Sequence, residues 1–305
     1  MTALHLQDVD NDLRGRLALV TGARFVCPFG KAFTSSVLPL ALTQITVMPS
    51  GGIGSACAKA LAAEGCDVVL HYSSSKGKTE SLAQQLSKTH PSQLFTVAQA
   101  DLQVRESARS LVSTILDMPA VAPKHKAISV LVANAGLGRR IRDISSIEEQ
   151  DWDEMMEVNV RSQFVVTRSC VGGMRRQGWG RVVLVGSIAS RGGGLNGCHY
   201  AASKGALTSL GLNLATLLAP EGVTVNVVSP AMIGSTGMIA SPKGRTWDSD
   251  CDYQELMSSD PGLAVASTVP VHRLGTPEEV ANVVVMFAKT GYMTGQEILL
   301  AGGLK

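Results

Sequence analysis

Short, uninterrupted apolar runs alternate along this chain with longer segments in which apolar residues recur every three to four positions. Leu17–Val20, Asp67–Tyr72 and residues 95–98, 129–133, 181–185 and 224–228 are rich in Val, Ile and Leu and bounded by Gly, Asn, Asp or Ser. Runs of that kind predict strands buried on both faces of a parallel sheet. Residues 53–64, 78–88, 106–116, 148–175 and 201–218 carry the helical pattern between them. The alternation, with no break in composition, predicts an α/β fold: a single Rossmann-like domain over residues 1–305, its doubly wound parallel sheet flanked by helices. One stretch breaks the rhythm. Residues 234–271 are rich in Ser, Gly, Pro and Asp, and we expect them to form a substrate lid.

Composition narrows the class. Of 305 residues 45% are apolar and 17% charged, as in a globular enzyme with much buried strand, and the net charge of +2 gives no reason to expect nucleic acid or a membrane surface as partner. The six cysteines form no Cys-x-x-Cys pair, which points to a reduced compartment without a disulfide framework, and no metal is expected. The first twelve residues have no apolar run, and no stretch has the ~18 apolar residues of a membrane span. The cytoplasm is the expected location, with the mitochondrion as the alternative.

The chemistry begins at a split motif. Thr21-Gly22-Ala23 follows the first predicted strand, and Ser50-Gly51-Gly52-Ile53-Gly54 opens the first predicted helix. With residues 24–49 removed, the two join into a strand, a glycine-rich turn and a helix start. Such a turn lets backbone approach a pyrophosphate, and the helix offers its N-terminal amides. Gly22, Ser50, Gly52, Ile53 and Gly54 are therefore candidate cofactor contacts. Asp101-Leu102 after the third strand and Asn134-Ala135-Gly136 after the fourth would lie at the same carboxyl edge. Each could equally be a turn that needs Asp, Asn or Gly.

Tyr200 and Lys204, four apart in a helical pattern, share one helix face. A phenol with a pKa near ~10 is a poor acid–base group at neutral pH, and a neighbouring cation favours its phenolate. Ser187, just after the fifth strand, is placed to hold a carbonyl oxygen.

With these residues in this order, the chain resembles the short-chain dehydrogenase/reductase family from residue 15 to residue 304. Further matches are Asn159 in Val158-Asn159-Val160, Asn226-Val-Val-Ser-Pro230, Tyr292-Met-Thr-Gly-Gln296 and Gly302-Gly303. The runs Pro230-Ala-Met-Ile-Gly234 and Val271-His-Arg-Leu-Gly-Thr-Pro-Glu-Glu-Val280 look most like 3-oxoacyl-(acyl-carrier-protein) reductases. The resemblance implies that Tyr200 protonates a carbonyl oxygen and that Ser187 orients it. It further implies that Lys204 binds the nicotinamide ribose and lowers the Tyr200 pKa, and that Asn159 holds a proton-relaying water, with local helix pairing as the plainer role for Asn159. It adds Pro230 and Ile233 to the cofactor contacts and implies a homo-oligomer, a tetramer by analogy. Two departures stand out: Pro230-Ala231 where the family has Pro-Gly, and Ala301-Gly-Gly where it has Asp-Gly-Gly.

The end of the second strand selects the cofactor. An acidic residue there would bind a ribose 2′-hydroxyl and repel a 2′-phosphate. This chain has Tyr72, Ser73, Ser74, Ser75 and Lys76, which favours NADPH/NADP; the absence of a basic residue in the glycine loop keeps NAD open.

Residues 24–49 hold three of the six Phe and three of the twelve Pro, and no Asp or Glu. They show neither helical nor strand periodicity. We read these 26 codons, 78 nucleotides, as an intron carried in frame into the protein, with a lineage-specific surface loop as the alternative. The function expected is reduction of a ketone to a secondary alcohol, the ketone being a 3-oxoacyl thioester. Arg139, Arg140, Arg175 and Arg176 are then candidates to receive an acidic acyl carrier protein. The alternatives are a reductase of polyketides or other small ketones, and a product left catalytically impaired by the split loop.

Overall fold

The computed structural model describes residue 7 and residues 9–22, 52–192, 196–236, 238–248 and 250–304. Residues 24–49 and the candidate Ser50 lie outside the described residues.

Seven parallel strands form one sheet in the order β3-β2-β1-β4-β5-β6-β7. They are β1 (Leu17–Val20), β2 (Asp67–Tyr72), β3 (Phe95–Gln99), β4 (Val130–Ala133), β5 (Gly180–Val185), β6 (Val223–Pro230) and β7 (Glu297–Leu300). Side chains alternate across the sheet, so in β1 Ala18 and Val20 face one core while Leu17 and Leu19 face the other. The first core is closed by α1 (Ile53–Ala63), α2 (Lys76–Thr89) and α9 (Pro277–Lys289). The second is closed by α3 (Arg105–Leu116), α5 (Ser162–Gln177) and α6 (Gly197–Leu218). Both faces of the central strands are dry, which is why their sequences read as continuous apolar runs. The winding reverses between β1 and β4, and a sheet of this type opens a ligand crevice at that reversal.

All six predicted strands are present. β7 was not predicted: four residues, half-buried at a sheet edge, leave too little pattern to read. α9 escaped as well, although Thr276 and Glu279 form a reciprocal capping box at its start. The expected helix over 148–175 is α4 (Glu149–Met156) and α5, joined through a π-helical stretch at Glu157–Arg161. The expected lid, residues 234–271, is less irregular than its composition suggests. It holds α7 (Tyr253–Ser259) and α8 (Pro261–Ser267), and two of its four aspartates are helix caps: Asp252 accepts from the Gln254 N–H, and Asp260 from the Leu263 N–H.

Candidate active site

The reversal point is built around one glycine. Gly22 has φ +59°, and a Cβ on it would stand 2.8 Å from the Ala135 Cα, so no other residue fits there unstrained. Its N–H donates to His71 Nδ1 at 3.1 Å, and its carbonyl accepts from Asn134 Nδ2 at 2.8 Å. Asn134 also bonds to the Thr21 carbonyl at 3.1 Å, while the Thr21 hydroxyl accepts the Asn134 and Ala135 N–H groups at 3.0 and 3.1 Å. Since His71 Nδ1 accepts, its Nε2–H donates to the Ala100 carbonyl at 3.0 Å. Burial holds this imidazole neutral, its pKa pushed down to about 4. Sequence reading missed His71; a lone polar residue in an apolar strand was the one available signal.

Across the crevice Gly52 is the N-cap of α1, whose first turn carries no acidic residue. Gly22 and Gly52, Ile53 and Gly54 line the same cavity, so both described ends of the split motif meet there. Asn134, Gly136, Pro230 and Ile233 line it too. Gly136 allows a close approach: a Cβ on it would stand 3.3 Å from Asn159 Oδ1 and 3.5 Å from Lys204 Nζ.

The opposite wall carries the reactive groups. Tyr200 and Lys204 sit in α6, 8% and 4% exposed, and both face the cavity. Ser187 caps the 3-10 turn Ile188–Arg191, accepting the Ala189 N–H at 3.2 Å, and faces the cavity with Tyr200, whose phenol its hydroxyl pulls towards a lower pKa. Lys204 Nζ donates to the Val185 carbonyl at 2.8 Å and stands 5.8 Å from the centre of the Tyr200 ring. Burial pushes the ammonium down to about 8. It also raises the Tyr200 phenol above its ordinary value, against the opposing effect of the Ser187 bond. The expected lowering of the phenol by Lys204 does not appear in this geometry: burial sets the direction of the shift, and the opposing effect comes from Ser187.

Asn159 lies in the π-helical stretch, fully buried and outside the cavity lining. Its Oδ1 accepts the Leu137 N–H at 2.6 Å, and its Nδ2 donates to the Leu137 carbonyl at 2.9 Å and to Ser203 Oγ at 3.0 Å. These contacts make the side chain a clamp between α6 and the loop after β4, a tie across the fold rather than local helix pairing.

Several candidates stand back from the cavity. Ala135 packs beneath Gly22, and Leu102 is buried. Asp101 accepts the Gln103 N–H at 3.0 Å within its own turn. Tyr72 is buried at the end of β2, where Ser73 and Ser74 are exposed and Ser75 is the N-cap of α2. The four arginines do not form one patch. Arg139 is engaged by Asp151 and Glu154, Arg175 by Glu221, and Arg176 lies at the far end of α5. Arg140 alone lines the cavity, donating to the Met238 carbonyl at 2.9 Å.

Among the described residues none lining the cavity is acidic, and no His/Cys/Asp/Glu group suited to a metal occurs. No described helix is long and apolar enough to cross a membrane. A glycine-walled crevice with a helix N-terminus at one side and two cations, Lys204 and Arg140, fits an anionic dinucleotide.

The short chain dehydrogenase family model matches residues 45–245. The chain belongs to this family. The match starts beyond β1, so it takes in only the second half of the split motif. This short-chain dehydrogenase is an oxidoreductase, and its relatives share nearly their whole length with it. The short-chain reductase protein NovJ of Streptomyces niveus is 33% identical, over 83% of this chain and 89% of its own. The acetoacetyl-CoA reductase of Cupriavidus necator is 29% identical, over 83% and 94%. The 3-oxoacyl-[acyl-carrier-protein] reductase FabG of Rickettsia felis is 28% identical, over 86% and 96%. A solved 3-oxoacyl (acyl-carrier-protein) reductase of Agrobacterium tumefaciens, with NADP bound, superposes with a TM-score of 0.71 at 25% identity over 96% of each chain.

Proposed function

We propose that this short-chain dehydrogenase reduces a ketone to a secondary alcohol with NADPH, and that the ketone is a 3-oxoacyl thioester. Ser187, Tyr200 and Lys204, brought together on one wall of the cavity, carry the reading. A nicotinamide cofactor bound there would supply the hydride. Tyr200, held neutral by burial, gives its proton to the carbonyl oxygen, and Ser187 holds that oxygen in place. Gly22, Gly52, Ile53, Gly54, Asn134 and Gly136 would hold the pyrophosphate half, and Pro230, Ile233 and Lys204 the nicotinamide half. Hydroxyls and Lys76 rather than a carboxylate after β2 favour a 2′-phosphate, and the NADP-bound neighbour supports that choice.

The thioester reading is supported by the relatives' names and by an apolar wall that includes Leu137, Met232, Met238 and Ile239. Met238 and Ile239 come from residues 234–271, in keeping with a lid over one domain. Arg140 at the cavity is the remaining candidate contact for an acyl carrier protein. Exposed Phe164 on α5 and Leu212 and Leu217 on α6 support a homo-oligomeric face. The test is NADPH oxidation with an acetoacetyl thioester and a panel of cyclic ketones. The thioester is expected to give the highest kcat/KM; preference for a cyclic ketone overturns the substrate assignment in favour of a small-ketone reductase.

A further inference from the structure

Behind the reactive wall, one half-buried carboxylate ties together the elements that carry it. Glu297 opens β7, and its side chain is 12% exposed. Its Oε1 accepts from Ser229 Oγ at 2.7 Å, Ser190 Oγ at 3.3 Å and Thr208 Oγ1 at 3.5 Å, and its Oε2 from Arg191 at 3.1 Å. Ser190 and Arg191 belong to the 3-10 turn that Ser187 caps. Thr208 lies one helical turn beyond Lys204 and two beyond Tyr200, on the same side of α6. Ser229 precedes the cavity residue Pro230, and its Oγ fills the space beside Gly186, where a Cβ would stand only 2.5 Å away.

A carboxylate in such a place is costly unless its lone pairs are met. Here burial opposes the charge, but the bonds from Ser229 and Arg191 outweigh it and hold the carboxyl below its usual range. The partners are not a random set. Each belongs to an element that supplies a side chain to the cavity, and two of the four are in the short turn directly after Ser187. Ala189 of that turn packs with Tyr200 and Leu137, the Ser187 hydroxyl accepts the Ala189 N–H within it, and Glu297 is its long-range side-chain hydrogen-bond partner.

We propose that Glu297 is a positioning residue for the reaction, anchoring the Ile188–Arg191 turn so that Ser187 is aimed at Tyr200. The consequence for catalysis rests on the roles proposed for Ser187 and Tyr200. Misplacement of such a pair by about 1 Å is enough to lower turnover by about a hundredfold, although Glu297 touches no reacting atom.

The test is the phenolate titration of Tyr200, followed by ultraviolet absorbance in the full-length chain without cofactor. Subtracting the Tyr200→Phe curve isolates it from Tyr72, Tyr253 and Tyr292. Because the Ser187 bond lowers the Tyr200 pKa, Ser187→Ala raises it. Glu297→Ala is expected to raise it comparably, and the double variant to add nothing further, since both act through one hydrogen bond. Glu297→Gln keeps an acceptor for Ser229 and Ser190 but loses the charge facing Arg191. It gives a smaller shift in the same direction, and is the variant to use if Glu297→Ala does not fold. A Glu297 variant that lowers Tm while Tyr200 titrates as in the wild type overturns the proposal and leaves Glu297 a support for β7. If Ser187→Ala itself leaves Tyr200 unmoved, the catalytic geometry has failed, and the proposal falls with it.

Discussion

The two walls of the cavity are built by opposite strategies. The reactive wall is local: Ser187, Tyr200 and Lys204 fall within eighteen residues, on one turn and one helix. The cofactor wall is assembled from afar. Gly22 is fixed by His71 and Asn134, and its companion glycines return only at Gly52 and Gly54. The Tyr200–Lys204 spacing is inherited from helix periodicity, and the turn after Ser187 is tied to a distant residue, Glu297. A wall held by distant bonds depends on each of them, yet its near end, Gly22, is pinned by residues on either side whatever the chain between 23 and 51 does.

The comparison breaks hardest at the local wall. Tyr200→Phe removes the proposed acid and should lower kcat by about 10²–10⁴-fold, with the far-ultraviolet spectrum and Tm unchanged. A fully active Phe variant would take Tyr200 out of the mechanism.

Acid tests the distant wall. The folded-state pKa of His71 is depressed from 6.5 to about 4, so the unfolded chain binds this proton more readily. Its contribution is intact above about pH 6.5 and is lost as pH falls towards 4, a change of about 3 kcal/mol. Urea melts across that window should show the wild type losing stability more steeply than His71→Asn. Parallel slopes would mean that His71 is not held neutral.

The smallest expected effect sharpens the contrast. Deleting residues 24–49 joins the two glycine ends directly, and should tighten NADPH binding by at least about tenfold, ~1.4 kcal/mol, in a fluorescence titration. The fold itself should change little, because loop-closure entropy rises slowly with length. Equal affinity in the two proteins would show that the interruption does not reach the cofactor wall.

The same contrast explains what could be read from the sequence. The central strands were legible because burial on both faces leaves no polar alternation to obscure them. Tyr200 and Lys204 were legible because an i, i+4 pair is a local pattern. His71 and Glu297 were not, since each finds its partners across the sheet and neither forms a motif with its neighbours. The direction of the Tyr200 pKa shift was not legible for a related reason: adjacency to Lys204 is visible in the sequence, and the depth of burial is not. The π-helical stretch at Glu157–Arg161 was hidden because one extra residue in a turn leaves the surrounding apolar rhythm intact.

That stretch has a further consequence. An extra residue in a regular helix would turn everything after it by about 100°, and the wider π-helical turn takes it up instead. Glu157–Arg161 therefore keeps the buried sides of α4 and α5 in phase while setting the direction from which Asn159 meets Leu137. Removing one residue there would leave an ordinary helix between the same flanks, with Asn159 shifted relative to Leu137. At this point of the chain, length is a stricter requirement than identity.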